Sequence, residues 1–136
     1  MHNTLRLEVI TPDGPVYSDE VESVTVQGVE GQITILPNHV RLMAQLAPGE
    51  MIARKERLTT FLAVGEGLAA ITGNRVAVIT DMAVTAENID EAKVEEARQR
   101  AAARLRDKIS SEEVASVNAS IARALAQLNV KRRRHN

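Results

Sequence analysis

The hydrophobic periodicity of the chain changes once, near residue 88, and this change limits the folds that it can adopt. Before residue 88, apolar residues alternate with polar ones, as expected of half-buried strands. After it, the apolar residues have helical spacing, and the sequence contains no glycine and no proline. The 136 residues therefore predict an all-β module followed by a helical module.

Short apolar runs separated by turn residues fill the first module. The opening strand LRLEVI ends at the turn TPDGP, residues 11–15, and later apolar runs are divided at residues 65–67 (GEG) and 72–74 (TGN). Turn signals at this spacing are typical of antiparallel hairpins. At least seven short strands in about 80 residues predict a flattened antiparallel β-sandwich or barrel over residues 1–84.

Residues 85–136 predict an antiparallel helical hairpin. Asn88 is the expected N-cap of the first helix, with Glu91 three residues on, and Ser110 with Glu113 repeats this capping pattern for the second helix. The first helix offers mostly alanines, which bury little surface at about 25 cal/mol per Å², so the hairpin should dock weakly. The second helix has one apolar stripe, formed by Val114, Val117, Ile121, Leu125 and Leu128.

The composition excludes several kinds of chemistry. Without cysteine the chain has no disulfide, no thiolate zinc site and no cysteine nucleophile. Its only aromatic residues are Tyr17 and Phe61, so there is no platform for stacking nucleic-acid bases. His39 has no acidic residue or histidine nearby at ligand spacing, and we expect neither a metal site nor a catalytic set.

The N-terminus lacks the order of a signal peptide, and no run of about 18 apolar residues could span a bilayer. We therefore expect a protein on the cytoplasmic side with no direct membrane insertion.

Charge is divided unevenly between the two modules. Residues 1–89 carry 6 Lys or Arg against 11 Asp or Glu, whereas residues 90–136 carry 11 against 7. The terminal run KRRRHN, residues 131–136, is either a solvated tail or an electrostatic contact. Cations at a helix C-terminus contribute about 0.3–1 kcal/mol each, and the surplus favours an acidic partner over nucleic acid. The cations near the end of the first helix are Arg98, Arg100, Arg104, Arg106 and Lys108.

The stretch VEGQITILPNHVRLMAQLAPGEM, residues 29–51, carries a family resemblance. A Glu-Gly, a short strand, then Ile-Leu-Pro-x-His and a later Pro-Gly are similar to the epsilon subunit of F-type ATP synthases, called delta in mitochondria. The opening strands, the hairpin of residues 65–83 and both helices also resemble that family. Thr34 and the pair Val40-Arg41 depart from its pattern, which indicates a divergent bacterial member.

The resemblance implies a non-catalytic rotor component that helps to pass torque from ion flow to the catalytic sites. Its sandwich would contact the gamma subunit and the c-ring, and the family pattern places Gln32 toward the ring and His39 toward gamma. The whole implied interface is Gln32, Pro37, His39 and Leu42.

In the family the helical hairpin is regulatory. Compact, it packs on the sandwich; extended, it reaches acidic segments of the catalytic beta subunits and blocks ATP hydrolysis. The implied contact residues are Arg98, Arg100, Arg104, Arg106 and Arg123. The alternative from the residues alone is a free-standing sandwich whose basic helical arm binds nucleic acid or an acidic protein.

Some bacterial members bind ATP in the compact hairpin through an Ile/Leu-Asp-x-x-Arg-Ala motif. Here the arginine is Lys93, which lacks the bidentate fork for phosphate, and the small alanine is Val94. We therefore expect no cofactor, and weak ATP binding or none. The residues that such a site would use are Ile89, Asp90, Lys93, Arg100 and Arg123.

Overall fold

A computed structural model describes residues 3–133 as ten strands, a 3₁₀ turn and two helices. The predicted β-sandwich followed by a helical hairpin is thereby confirmed. The elements are β1 (Leu5–Thr11), β2 (Gly14–Val21), β3 (Ser23–Gly28), β4 (Gly31–Ile35), β5 (Leu42–Leu46), β6 (Gly49–Lys55), β7 (Leu58–Val64), β8 (Gly67–Thr72), β9 (Arg75–Thr80), β10 (Ala83–Thr85), the 3₁₀ turn (Ala86–Asn88), α1 (Glu91–Arg104) and α2 (Ser111–Arg133).

The strands form two layers that fold toward each other. One layer has the order β10-β7-β6-β3-β4 and the other β5-β8-β9-β1-β2, and they join where Gly28 of β3 pairs with Leu46 of β5. At the far edge, Lys55 Nζ lies 3.1 and 3.2 Å from the two carboxylate oxygens of Asp19. These hydrogen bonds from Lys55 hold the pKa of Asp19 below its usual range.

The core lies between the layers and is aliphatic. Leu5, Leu7 and Val9 alternate along β1 with partly exposed residues, and their side chains are buried against those of the opposite layer. The alternation of apolar and polar residues in the sequence therefore corresponds to the alternation of buried and partly exposed side chains along the strand. The other large, fully buried side chains are Val21, Val24, Val26, Ile35, Leu46, Met51, Leu62 and Ile71.

Two connections differ from the predicted antiparallel hairpins. β1 pairs with β9 in parallel, because the β8–β9 hairpin brings β9 back alongside the first strand. Residues 65–67 do not turn a hairpin either, since β7 and β8 belong to different layers. A Cβ at Gly67 would collide with the Ile79 carbonyl, so glycine is needed here because the backbones of β8 and β9 approach each other closely. The turn at residues 72–74 does join β8 to β9 as predicted.

The first helix begins later than predicted, and Asn88 is not its N-cap. Ile89 is buried in an apolar cluster and has an extended backbone, so the chain becomes helical only after it. Asp90 is the N-cap, and its carboxylate accepts a 3.1 Å hydrogen bond from the Lys93 N–H. Ser110 caps α2 as predicted, accepting from the Glu113 N–H at 3.1 Å.

The hairpin docks on the outer face of β6 and β7 through α2. The predicted stripe is only partly correct: Leu128 is fully buried, but Leu125 is 42% exposed. Because α2 contacts both the sandwich and α1, its buried arc is wider than one stripe and includes small residues, namely Ala124, Ala126 and Val130. Within the described chain, α1 has no buried residue, so the docking seam is small.

We expect the amides of α1 and α2 to exchange hydrogen faster than those of β1 and β9. The change Leu128→Ala should accelerate this exchange further, because truncating a buried leucine removes about 2–5 kcal/mol of packing. Hydrogen exchange followed by NMR measures both effects. Leu125→Ala, on the same helix but at an exposed position, is the matched control and should change little. Helical amides as well protected as those of the sheet would contradict the prediction.

Candidate interaction surfaces

The layer containing β8 turns an apolar face to solvent. Leu68 pairs with Ile79 across β8 and β9, and Met43 of β5 pairs with Ala70 of β8. Met43 is 71% exposed and Ile79 is 55% exposed, while the intervening side chains point into the core. An antiparallel sheet with a solvated face usually carries polar residues there, and a contiguous apolar patch marks an interaction site. We call this patch the open face; its residues are Met43, Leu68, Ala70, Ala77 and Ile79.

A loop at the end of the open face extends the apolar surface. Residues 36–41 connect β4 to β5, and in this loop Leu36 is 57% exposed and Val40 is 75% exposed. Arg41 lines a shallow depression of about 340 Å³ together with Met43 and Ala70 of the open face. The loop therefore meets the open face at Arg41.

The four residues predicted for the rotor interface do not form one cluster. Pro37, His39 and Leu42 lie at the loop end of β4, whereas Gln32 lies at the start of that strand. Gln32 borders a groove of about 530 Å³ whose other wall includes Arg133 of α2. Leu42 is on the inward-pointing side of β5 but remains partly exposed, because the layers are open at this end. Contacts of these residues with other subunits remain predictions.

Polar contacts near the end of α2 tie the hairpin to the rest of the chain. Arg123 Nη1 lies 3.2 Å from Asp81, and a Cβ at Gly65 would collide with the same carboxylate. Exposed pairs of this kind contribute about 0–1 kcal/mol each, so they align the hairpin more than they hold it. The further contacts of this kind are Arg133–Glu50 at 3.8 Å and Lys131 Nζ to the Ala86 carbonyl at 3.1 Å. Arg132 instead pairs with Glu91 of α1 at 2.6 Å, within the hairpin.

Most of the predicted regulatory arginines are paired inside the hairpin. Arg98 donates two hydrogen bonds to Glu95, at 2.6 and 3.0 Å, which hold the pKa of Glu95 below its usual range and raise the pKa of Arg98. In the docked hairpin most of these cations have an acidic side chain beside them, and their contact with an acidic partner remains a prediction. The other pairs are Arg100–Glu96 at 3.0 Å, Arg104–Glu113 at 2.8 Å and Arg123–Asp81 at 3.2 Å.

The residues of the predicted ATP site do not all lie together, and two of them have structural contacts instead. Ile89 is buried in the apolar cluster under α2, and the Asp90 carboxylate caps α1. Lys93 is exposed, and Arg100 lies two turns further along α1, a rise of about 10 Å. The affinity for ATP remains a prediction.

The open face was not predicted from the sequence, although a signal was present. β8 (GLAAIT) and β9 (RVAVIT) are apolar at consecutive positions rather than at alternate ones. In an antiparallel sheet such runs indicate that both faces are meant to be covered. The acidic partners Asp81 and Glu91 were also missed, since their pairing depends on how α2 packs on the sandwich and on α1.

Residues 3–133 lack the features of two further classes of site. That part of the chain contains no group of three or more His, Cys, Asp or Glu side chains placed to hold a metal ion. None of its helices combines the length and the hydropathy needed to cross a membrane.

Similar proteins share both modules with this chain. A protein named ATP synthase epsilon chain from Herpetosiphon aurantiacus is 36% identical over 132 residues, covering 97% of each chain. One of the same name from Dehalococcoides mccartyi is 39% identical over 134 residues, covering 96% of each. Both relatives therefore match essentially end to end.

Solved structures share the fold. A chain in the mitochondrial ATP synthase of Euglena gracilis (OSCP/F1/c-ring) has a TM-score of 0.73 at 22% identity, covering 95% of this chain and 81% of that one. A chain in the central stalk and c-ring of the Tetrahymena thermophila mitochondrial ATP synthase has a TM-score of 0.65 at 12% identity, covering 96% and 98%.

The family models match in chain order and without a gap between them. The beta-sandwich domain of the ATP synthase delta/epsilon chain matches residues 4–86, and its long alpha-helix domain matches residues 87–132. The chain therefore belongs to the ATP synthase delta/epsilon chain family.

Proposed function

We propose that this protein is a non-catalytic rotor subunit of an F-type ATP synthase, acting as its epsilon chain. The observation that carries the proposal is the difference between the two outer faces of the sandwich. One is covered by α2, and the other, the open face, exposes Met43 and Ile79. A folded domain that leaves such a face uncovered is built to be held by a partner.

In this proposal the open face and the loop at residues 36–41 dock on the gamma subunit. The other end of β4, with Gln32, lies toward the c-ring. The five residues of β4 span about 16 Å, so one strand can link the two contacts. The sandwich would then transmit torque without any chemistry of its own, as a peripheral subunit on the cytoplasmic face of the bacterial plasma membrane.

The helical hairpin is proposed to regulate ATP hydrolysis by leaving the sandwich and reaching the catalytic beta subunits. Its docked form is stabilised by a small, partly alanine seam and by the exposed Arg123–Asp81 ion pair, worth about 0–1 kcal/mol. A switch needs two states within a few kcal/mol of each other, and a weakly held hairpin meets that condition. Undocking also breaks the pair of Arg123 with Asp81 of the sandwich, which frees this cation for an acidic partner.

The alternative, a free-standing sandwich with a nucleic-acid-binding arm, rested on a cationic surplus in the helices. Acidic side chains pair with Arg98, Arg100 and Arg104 within the hairpin and with Arg123 in the sandwich. These pairs offset part of the positive charge that would attract phosphates, which favours the rotor assignment.

Replacing an apolar residue of the open face by lysine should weaken binding to purified gamma subunit. The change Ile79→Lys places a charge in the middle of the proposed contact, and burying an unpaired charge is unfavourable. We expect at least about tenfold weaker affinity by calorimetry. Leu58→Lys, at an exposed position on the other layer, should bind as the wild type does. Equal affinity of all three proteins would refute docking through the open face.

Truncation after Ala86 should leave assembly intact and raise ATP hydrolysis. The shortened chain keeps the strands and the open face but loses the proposed inhibitory hairpin. Steady-state ATPase measurements on the reconstituted enzyme, with the full chain as control, test the prediction. Unchanged hydrolysis in a fully assembled enzyme would exclude an inhibitory role.

Titration of the chain with ATP should give no saturation in the micromolar range, because Lys93 and Val94 replace the arginine and the alanine of the family motif. The double change Lys93→Arg with Val94→Ala restores that motif and should tighten binding. Micromolar affinity of the wild-type chain would overturn the expectation.

A further inference from the structure

The loop at residues 36–41 contains a backbone conformation that is unfavourable for most residues. Asn38 has a φ of 65°, in the left-handed region, which asparagine tolerates better than other non-glycine residues. Its N–H donates a 2.6 Å hydrogen bond to the side-chain oxygen Oδ1 of Asn74, 36 residues further along the chain. A side chain from a different hairpin therefore holds the loop at its most constrained point.

Asn74 is itself firmly anchored. It occupies the two-residue turn between β8 and β9, in which Thr72 pairs with Arg75 and Gly73 has a φ of 61°. Its carbonyl accepts a 2.7 Å hydrogen bond from the Arg6 N–H of β1. The turn and the first strand thus fix the backbone from which the side chain projects.

A second residue with a positive φ in residues 3–133 is held in the same way. Glu56 is the other non-glycine residue with a positive φ, at 48°, and its N–H donates to the carboxylate of Glu22. At both positions a remote side-chain oxygen binds the amide of the constrained residue. The sandwich therefore uses such bonds to fix its exposed turns.

The fixed loop displays apolar side chains. Leu36 and Val40 flank the constrained residue and are both largely exposed. The ring Nδ1 of His39 lies 2.7 Å from the Val40 carbonyl oxygen, so with hydrogen on Nδ1 it donates to that oxygen and adds a second restraint. The restraints therefore fix the backbone that carries both apolar side chains.

We propose that Asn74 is a positioning residue: by binding the Asn38 amide it keeps the loop in the conformation that docks on the gamma subunit. This inference rests on the proposed function. A partner binds only the competent fraction of loop conformations, and the observed affinity falls in proportion to that fraction. A loop fixed before binding also loses less conformational freedom on association.

The test compares two substitutions that differ in one respect. Asn74→Ala removes the acceptor, whereas Asn74→Asp keeps a side-chain oxygen at the same distance from the backbone. Loss of one such hydrogen bond corresponds to about 2- to 10-fold in an equilibrium constant. We therefore expect Asn74→Ala to bind purified gamma subunit about 2- to 10-fold more weakly and to expose the Asn38 amide to faster hydrogen exchange. Asn74→Asp should stay close to the wild type in both measurements.

A matched control and a double-mutant cycle separate positioning from general destabilisation. Asn118→Ala replaces an exposed asparagine on α2 and should change neither measurement. Val40→Ser removes an apolar contact of the loop, and in that background Asn74→Ala should cost less affinity than in the wild type, because both act through the same loop.

The outcomes distinguish the inference from the proposed function. Wild-type affinity of Asn74→Ala, or equal weakening by Asn74→Ala and Asn74→Asp, would overturn the positioning role. A wild-type chain that does not bind gamma would refute the proposed function and the effect on affinity with it. Exchange of the Asn38 amide would then still decide whether Asn74 fixes the loop.

Discussion

Burial of an aliphatic core between two β layers is the constraint on which the rest of the molecule depends. Each strand has two faces, and the inward faces of the two layers pack against each other through side chains such as Leu7, Val26 and Leu62. The outward faces still need covering. A helix of 23 residues is about 34 Å long and 10 Å wide, enough for β6 and β7 but not for both layers. The open face remains exposed because α2 covers only the outer face of the other layer.

The contacts of α2 with the sandwich are concentrated in its C-terminal half, which determines where separation of the hairpin would begin. The buried residues of α2 begin at Ala124, and the ion pairs to the sandwich involve Arg123 and Arg133. Toward the turn between the helices, side chains are largely exposed. Separation would therefore begin at that turn, where least surface is buried, and end at the C-terminal part of α2. Since apolar burial supplies more free energy than exposed ion pairs, Val130, which is buried in a cluster with Ala63 of β7, matters more to docking than the arginines around it.

The sequence predicts well what depends on local pattern and poorly what depends on pairing partners. Alternation located the strands, and capping chemistry placed the start of α2 at Ser110. The same alternation cannot distinguish a hairpin from a crossing between layers, which is why residues 65–67 were misassigned and the parallel β1–β9 pair was unforeseen. The start of α1 shifted because Ile89 is buried by tertiary packing. For the candidate site, the consecutive apolar residues of β8 could have indicated the open face. The hydrogen bond between Asn38 and Asn74, in contrast, joins residues that only the fold brings together.

The two ends of β4 have different neighbours, and this separates docking from regulation in the proposed function. At the loop end, Asn74 fixes the backbone through a bond that does not involve the helices. At the other end, Gln32 shares a groove with Asn129 and Arg133 of α2, so its surroundings change when the hairpin leaves. Close-packed sheets are stiff and transmit force with little deformation. In the proposed function the sandwich would therefore stay bound to gamma while the hairpin moves, because the elements that hold the loop are not those that hold α2.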